Sequence, residues 1–360
     1  MSSSGASAPC EAQSSASSVL VQRNAAGHTD DSSDAWPEPF APSPSIAQAM
    51  HAVALSKLES YVRVTSTDAT ELGVPLSALR SLQRTLSAYK LKSDSKQFRK
   101  ASALQPLLRR CPPQGTESII DVALSVGWSP YLLARAAVAR AMHCEGDKKA
   151  LSAFMRAPER IVDGALRGAA KDAMAADPFV SPAVDGAKAR VGALYERHLE
   201  ALLDAARIPY SSESSLRELG AAKTPDVLLN APIGVVHPVT GAAVLVNWID
   251  SKGLFGDSTT HMASVMPQAQ AYANRYGPGI IVYWLGCEAT LCDSVSSGGA
   301  GAVSRAPAAS LPAAADASVV AFPSFPREFV LPAGSQVHAF KHLPLPAQDE
   351  GDEPGGEGGV

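Results

Sequence analysis

Long apolar runs, paired cysteine motifs and a strong net charge are missing from this chain of 360 residues. The longest apolar run, from Ile280 to Leu285, is far shorter than the roughly 20 residues that cross a bilayer. There is no signal-peptide pattern, so we expect no membrane association. The five cysteines are scattered, without Cys-x-x-Cys or Cys/His ligand spacing, which argues against a zinc site and favours a reducing compartment.

Charge is unevenly distributed along the chain, although its formal sum is only −4. The acids collect in the C-terminal tail, and a basic block lies between residues 80 and 110, where Asp94 is the only acid. Such a block is typical of a surface that contacts a phosphate backbone, and a solvated helical face is the alternative. The block consists of Arg80, Arg84, Lys90, Lys92, Lys96, Arg99, Lys100, Arg109 and Arg110.

Three stretches have compositions that predict disorder. Residues 1–44 are rich in Ser, Ala and Pro, residues 346–360 are rich in Gly and acids, and both have too few large apolar groups to fold. An organelle transit peptide is the alternative for the start of the chain. Residues 293–317 combine Gly, Ser, Ala and Pro inside an otherwise folded region, which predicts an insertion in a surface loop.

Helical periodicity dominates residues 45–175, and two segments there resemble each other. The segments from Ala69 to Leu79 and from Ala123 to Leu133 each contain Ala, then Gly four residues later, then Ser or Pro before a new apolar run. This is the pattern of a helix-turn-helix, here in tandem, and ordinary helical-hairpin packing is the alternative for each copy. The pattern predicts DNA contact through basic residues of the second helices, namely Arg80, Arg84, Arg135 and Arg140.

Residues 190–345 mix helical and strand patterns, which predicts an α/β sandwich around a mixed sheet. The expected elements are an amphipathic helix from Leu194 to Ala206, strands at 226–235 and 244–252, a helix that Asp257 or Ser258 caps, a buried strand from Ile280 to Leu285, and short strands near 319–322 and 329–331.

The two central strands form a predicted hairpin about a turn at residues 237–241. Pairing about that turn places Asp226 opposite Asp250 or Ser251, at about 4.5–5.5 Å between Cβ atoms. Alternation places Lys252 on the same face as Asp250. Two carboxylates that close repel unless a cation lies between them. The sequence therefore predicts a hard-metal site beside a fixed positive charge, which suits metal-assisted phosphodiester hydrolysis.

A plainer interpretation is a surface ion pair between Asp250 and Lys252, with Asp226 capping a turn. Apolar runs flank these acids, however, and charged groups where strands leave a core are rarely kept without a partner. Glu196 lies at the edge of the apolar stripe of the preceding helix. It is either a salt-bridge partner or a third metal ligand.

A series of segments across residues 195–286 resembles one family. The segments are Tyr195-Glu196, Ile208-Pro-Tyr210, Leu216-Arg-Glu-Leu-Gly220, Lys223-Thr-Pro-Asp-Val-Leu-Leu229, Trp248-Ile-Asp-Ser-Lys252, Phe255-Gly-Asp257, His261, Gln268, Asn274-Arg-Tyr-Gly-Pro-Gly279 and Ile281-Val-Tyr-Trp284. In this order they resemble the codanin-interacting nuclease family, named for its Thr-Pro-Asp motif, of the restriction-endonuclease-like PD-(D/E)XK superfamily. The resemblance implies a restriction-endonuclease-like α/β domain preceded by tandem helix-turn-helix units.

The resemblance also implies roles for residues of the hairpin. Asp226 and Asp250 are expected to bind Mg²⁺ or Mn²⁺, with the backbone carbonyl of Ser251 as a further ligand. Lys252 is expected to orient the attacking water and to offset charge on the phosphorane.

Four residues outside the hairpin also match family positions. Glu196 resembles the helix-borne acid of the superfamily, and Gln268 resembles the glutamine of its resolvase-like branch. Pro267 predicts either a kink in the helix that carries Gln268 or a fresh helix start. Asp257 and His261 match as well, and a salt bridge or a helix cap explains either of them equally well.

The function expected from the motifs and the resemblance is that of a Mg²⁺-dependent deoxyribonuclease that acts on DNA, including structured or branched sites. It implies a codanin-like partner and residence in the nucleus, with the cytoplasm as a further location. The alternative is a non-catalytic DNA-binding adaptor that docks such a partner through a retained nuclease fold. A transcription regulator would use the helix-turn-helix units and leave the two acids and the lysine unexplained.

Overall fold

The structure, a computed structural model, describes residues 38–98, 100–292, 318–331 and 336–346. The predictions of disorder for residues 1–44, 293–317 and 346–360 therefore lie mostly outside the described residues. The prediction that disorder extends to residue 44 is wrong, because residues 40–42 are packed on the folded chain. Phe40 O accepts a hydrogen bond from Cys287 N at 3.1 Å, and the Phe40 ring lies 6.0 Å from that of Phe255. The aromatic side chain of Phe40 supplies apolar surface for this packing.

The N-terminal part is helical, as predicted, and local capping explains where several helices begin. Ser43 and Ser129 accept hydrogen bonds from backbone N–H groups at the starts of α1 and α6, and Thr65 forms a capping box with Asp68 at the start of α2. The helices are α1 (Pro44–Glu59), α2 (Ser66–Leu72), α3 (Leu76–Phe98), α4 (Ala101–Arg110), α5 (Ile119–Leu124), α6 (Pro130–Ala141), α7 (Lys148–Arg156) and α8 (Gly164–Ala176).

Two of the connections have the left-handed glycine that the repeat predicts. Gly73, between α2 and α3, has a φ of 65°, and Gly127, between α5 and α6, has a φ of 62°. A side chain at either position would be strained. Gly127 is also limited by space, since a Cβ there would lie 2.5 Å from Glu59 O. The repeated segments thus form two helix-turn-helix connections.

The C-terminal part is an α/β unit, and its described residues contain a seven-stranded mixed sheet in the order β5-β4-β3-β2-β6-β7, with β1 paired to β2. The strands are β1 (Tyr210–Ser212), β2 (Val227–Val236), β3 (Ala243–Lys252), β4 (Gly279–Tyr283), β5 (Val319–Phe322), β6 (Glu328–Val330) and β7 (Val337–Ala339). The helices are α9 (Pro182–Ala205), α10 (Glu213–Glu218), α11 (Ser258–Thr260), α12 (Met266–Tyr276) and α13 (Ala289–Cys292).

Helices cover both faces of the sheet, which confirms the predicted mixed sheet flanked by helices. The alternation of β4 displays the arrangement: Ile280 and Val282 pack in a core with α9, whereas Ile281 and Tyr283 pack in a core with α12. β2 and β3 are antiparallel, while β3, β4 and β5 run parallel. Within the described residues, every helix is too short or too polar to cross a membrane.

The helical part and the sheet are joined by the segment that follows β3. Phe255 is fully buried and packs in a core cluster with Met50, Leu79 and Leu82 from the N-terminal helices. Its backbone N–H donates to Ser81 Oγ of α3 at 2.9 Å. Because Phe255 lies three residues after Lys252, the N-terminal helices hold the chain next to the end of β3.

Candidate active site

The two aspartates lie side by side where the hairpin strands meet. Val227 pairs with Ile249, so Asp226, just before β2, lies beside Asp250 of β3. Ser251 N donates to Asp226 Oδ2 at 2.6 Å, which fixes the carboxylate against the neighbouring strand. The hairpin prediction brought these acids together, because antiparallel strands bring opposite residues close, but their register also depends on an irregularity of β2 between residues 228 and 233 that regular alternation does not predict.

Asp250 has one oxygen in an ion pair and one oxygen without a partner. Lys252 Nζ lies 2.6 Å from Asp250 Oδ2, and the two side chains are 20% and 2% exposed. Asp250 Oδ1 is buried and has no hydrogen-bond partner among the described residues. A buried carboxylate oxygen is costly to leave unpaired, and carboxylate oxygens are the ligands that Mg²⁺ prefers. The donor set of Asp226 and Asp250 therefore fits a hard divalent cation.

The electrostatics of this centre are those of a crowded acidic site. Burial, together with the charge of Asp250, raises the pKa of the Asp226 carboxyl to about 8. Burial acts to lower the pKa of Lys252, but the charges of Asp250 and Asp226 outweigh it and raise that pKa. Lys252 is thus a fixed cation, and a second positive charge would let Asp226 ionise at neutral pH.

In the described part of the chain, Glu196 makes no hydrogen bond or ion pair with the two aspartates, but its charge acts on Asp226 and on Lys252. It lies exposed on α9, and its role as a metal ligand stays a prediction. Among the described residues, no three His, Cys, Asp or Glu side chains converge closely enough to hold a metal ion. The charges of Lys252 and Asp250 still reach the Glu196 carboxyl, although burial and Glu213 contribute more to its raised pKa.

Pro267, the residue before Gln268, lies inside a continuous helical stretch. It is the second residue of α12, and Val265, just before that helix, already has helical backbone angles, so α12 does not start afresh there. A π-helical turn, His261–Val265, precedes it. Gln268 Nε2 donates to Tyr272 OH.

Sequence reasoning missed Tyr272 as part of this centre. The residue is almost fully buried, its ring lies 5.4 Å from Trp248, and the pKa of its hydroxyl is raised by burial and by the nearby Asp250. The four-residue spacing from Gln268, which puts both on one helix face, was the signal available in the sequence.

Both the backbone amide and the hydroxyl of Ser251 are hydrogen-bonded. Its N–H holds Asp226, and its Oγ accepts a hydrogen bond from Trp284 Nε1 at 2.8 Å. Trp284 in turn stacks on Tyr195 of α9 at 5.3 Å. These contacts anchor the residue between the two acids from the α9 side of the sheet. The role of its carbonyl as a ligand stays a prediction.

Asp257 and His261 lie outside the acidic centre and have structural contacts. Asp257 Oδ1 accepts from Thr260 N at 2.9 Å, which is a helix cap. His261 Nδ1 and Tyr283 OH are hydrogen-bonded at 2.8 Å, and burial lowers the pKa of His261. The helix cap was one of the two explanations open for Asp257.

The four arginines predicted to contact DNA have different surroundings. Arg84 lines a groove beside α3, and Arg80 is half-buried on the same helix. Arg135 Nη1 donates to Tyr131 OH at 3.2 Å, and Arg140 Nη1 donates to Gln105 Oε1. DNA contact by these residues stays a prediction.

The fold and this centre define an α/β protein with two carboxylates and a lysine at the end of a central hairpin. Residues 163–299 match the family model described as "Protein of unknown function TPD sequence-motif", so this part of the chain is similar to that family. No solved structure matches the chain, so the restriction-endonuclease-like assignment rests on the resemblance.

Curated relatives point to the same family. Over 172 residues, 47% of the chain, it is 34% identical to CDAN1-interacting nuclease 1 of Xenopus laevis and covers 55% of that protein. The identity to the proteins of the same name from Homo sapiens and Bos taurus is 32% and 33%, with 59% of each covered. The match thus spans little more than half the length of these relatives. The resemblance to the codanin-interacting nuclease family is confirmed.

Proposed function

We propose that this protein is a Mg²⁺-dependent nuclease that hydrolyses phosphodiester bonds of DNA at the centre formed by Asp226, Asp250 and Lys252. The observation that carries the proposal is Asp250 Oδ1, a buried carboxylate oxygen with no hydrogen-bond partner, beside a second carboxyl whose pKa is about 8. The relatives named as nucleases support the reaction class.

Mg²⁺ or Mn²⁺ would be held by Asp226 and Asp250, with the Ser251 carbonyl as a third ligand. When bound, such an ion polarises the phosphoryl group and makes bound water a stronger nucleophile. Asp226 is oriented for this task by the N–H of Ser251, and Asp250 is oriented by Lys252.

Lys252 supplies fixed positive charge beside the scissile phosphate. Its ammonium is held 2.6 Å from Asp250 Oδ2, so it needs little reorganisation as negative charge develops on the phosphoryl oxygens. Gln268 and Tyr272 form a hydrogen-bonded pair on α12. We propose that the Gln268 amide positions substrate or water at this centre.

The test is a cleavage assay with the full chain on labelled single strands, duplexes, flaps and junctions, in Mg²⁺, Mn²⁺ or EDTA. We expect metal-dependent cleavage that Asp250→Asn lowers by at least about 100-fold, because removing a ligand or a preorganised charge typically costs that much. Asp172→Asn, an exposed aspartate of α8, is the matched control and is expected to cleave like the parent.

The relatives' printed name, CDAN1-interacting nuclease 1, also favours a second candidate, a DNA-binding adaptor that docks a codanin-like protein. Binding of DNA without cleavage, equal in the parent and in Asp250→Asn, would refute the nuclease proposal and leave the adaptor. We further propose residence in the nucleus, with the cytoplasm as a second location, because the proposed substrate is DNA.

A further inference from the structure

A groove with a cavity volume of ≈ 470 Å³ opens between α3 and α9. Its lining includes Arg84, Tyr89 and Lys92 of α3 and Lys188 of α9. The segment Gly253–Leu254, directly after the catalytic lysine, lines the groove as well. None of the sequence predictions for the active site used this groove, although Arg84 and Lys92 belong to the basic block that is typical of a surface contacting a phosphate backbone.

The elements that line the groove also build the active centre. β3 ends with Lys252 in the centre and continues into Gly253 in the groove. The helical segment of α11 and α12 places Thr260 and Ser264 in the groove and Gln268 beside the centre. A ligand in the groove would therefore extend towards the reacting phosphate.

Gly253 lets α9 pack closely against the chain between the groove and the active centre. A Cβ at Gly253 would lie 2.7 Å from the Tyr195 ring and 3.3 Å from Val191 Cγ1, so α9 packs directly on the backbone there. Val191 and Lys188 continue along the same helix into the groove. The groove is thus lined by the segment Gly253–Leu254 and by residues of α3 and α9 on either side of it.

The charge of the lining favours an anionic occupant. The lining contains three cationic side chains, Arg84, Lys92 and Lys188. None of the described residues that line the groove is acidic. Lys188 lies 3.7 Å from Asp185, whose side chain is 73% exposed and outside the groove. Hydroxyls of Thr85 and Ser264 add neutral hydrogen-bonding groups that suit phosphate oxygens.

Tyr89 adds an aromatic surface among these cations. Tyr89 is 40% exposed, whereas Ala78, Leu79 and Leu82 of the same helix are buried. Basic residues interleaved with an exposed aromatic ring are the arrangement that binds single-stranded nucleic acids, since each base presents a flat face for stacking.

We propose that this groove holds an unpaired strand of nucleic acid, with its phosphates on Lys92 and Lys188, a base on Tyr89, and its path leading to Lys252. The proposal rests on the proposed nuclease function and deepens it by naming the substrate form. A volume of ≈ 470 Å³ lies within the about 300–1,000 Å³ of small-molecule sites, which suits one or two nucleotides of a single strand. It does not suit the full width of a duplex.

Binding is measured with the full chain by fluorescence anisotropy in EDTA, using labelled oligo(dT) and oligo(rU) of about 15 nucleotides and a blunt duplex of the same length. We compare Lys92→Ala/Lys188→Ala with the control Lys149→Ala/Lys171→Ala, which removes the same charge from exposed sites elsewhere. Tyr89→Ala is compared with Tyr89→Phe, which keeps the ring.

The parent is expected to bind a single strand more tightly than the duplex. The groove double variant should weaken that binding at least ten-fold and lower the slope of log K against log salt by about 1.4, since each phosphate contact contributes about 0.7 for single strands. Tyr89→Ala should weaken binding roughly 5- to 150-fold, and Tyr89→Phe should match the parent. If only oligo(dT) or only oligo(rU) binds, the result identifies which sugar the groove accepts.

Equal binding by both lysine double variants, or tighter binding of the duplex in the parent, would overturn the proposal. Circular dichroism of each variant verifies folding before binding is compared. Loss of strand binding on Tyr89→Ala and on the groove double variant, in a protein that never cleaves, would support the groove and refute the nuclease. Metal-dependent cleavage that the groove variants leave unchanged would support the nuclease and refute the groove.

Discussion

At Asp250, one carboxylate oxygen contacts Lys252 Nζ while the other is buried without a hydrogen-bond partner. The surface ion pair that the sequence left open as an explanation accounts for the first contact only. It does not account for burial to 1% exposure or for the position of Asp226 on the adjoining strand. A ligand that takes up the second oxygen explains both, and a divalent cation is the ligand whose charge also relieves the repulsion between the two acids.

Gly279 controls the geometry of the same face of β3. It pairs with Trp248, and a Cβ at Gly279 would lie 2.2 Å from atoms of the indole ring. We expect Gly279→Ala to lower the free energy of unfolding by at least about 2 kcal/mol, because overpacking forces the ring and the backbone apart. Gly168→Ala is the control, since nothing lies within 4 Å of a Cβ there, and a gain of about 0.5–1 kcal/mol is expected in mid-helix.

Urea unfolding followed by circular dichroism measures both glycine variants. The prediction fails if Gly279→Ala is as stable as the parent. A parallel cleavage assay is expected to lose activity in this variant, because Trp248 precedes Asp250 by two residues on the same face of the strand.

At the scale of elements, α1 is tied to the loop before α13 by one partly buried pair. His51 Nε2 lies 3.1 Å from Glu288 Oε1, and Glu288 Oε2 also accepts hydrogen bonds from the backbone N–H and the hydroxyl of Ser258. The hydrogen bond with Glu288 raises the pKa of His51. Burial opposes ionisation of Glu288, but His51 and Ser258 outweigh it and lower the pKa of Glu288.

These shifts predict a window of pH for the stabilising effect of the pair. The contribution of His51 is complete below its ordinary pKa of 6.5 and is lost as pH rises through its raised value. The contribution of Glu288 is complete above its ordinary pKa of 4.5 and is lost as pH falls through its lowered value. We expect His51→Ala to lower the free energy of unfolding by about 1 kcal/mol at pH values between these limits, and by less at higher pH.

Unfolding measured between acid and mildly alkaline pH tests this window, with the exposed His143→Asn as the control. Asparagine suits that position because His143 has a φ of 50°. A cost of His51→Ala that does not change with pH would show that the lost interaction is not ionic.

Strands with a clear apolar run could be predicted from the sequence, including the short β5 and β6. The hairpin of β2 and β3 could be predicted as well, but its register shifts between Leu228 and Ile233, so the pairing that brings Asp226 beside Asp250 depends on an irregularity that alternation does not encode. β1 and β7 have three residues each, too few for a pattern. Glu196 could not be placed relative to the acids, because which face of the sheet its helix covers is decided by packing across the whole domain.

At the scale of the whole molecule, the helical part and the sheet are not separated by a linker. Phe255 follows β3 and fills a core otherwise made of N-terminal helices, while Phe40 packs against it from the start of the described chain. Sequence patterns identify such a residue as apolar but do not say which core it enters. As a consequence, residues of the helical part and of the sheet part together line the groove between α3 and α9, next to the proposed active centre.

Phe255→Ala is therefore expected to destabilise both parts together. Truncating a fully buried phenylalanine costs about 3–5 kcal/mol, and here the lost contacts join two cores. Tryptophan fluorescence and circular dichroism should report one shared unfolding transition in the parent, at lower urea in the variant. Leu219→Ala, at a side chain that is 83% exposed, should leave the transition where it is. A variant whose helical signal unfolds separately at unchanged stability would contradict this coupling.

The most direct measurement of the central claim is calorimetric titration of Mn²⁺ into the full chain, the Asp250→Asn variant and the Asp172→Asn control. The account predicts metal binding in the parent and the control that is lost, or weakened at least 10-fold, in Asp250→Asn, because a first ligand has been removed. Equal Mn²⁺ binding by all three proteins, or none by the parent, would contradict a metal centre at Asp226 and Asp250.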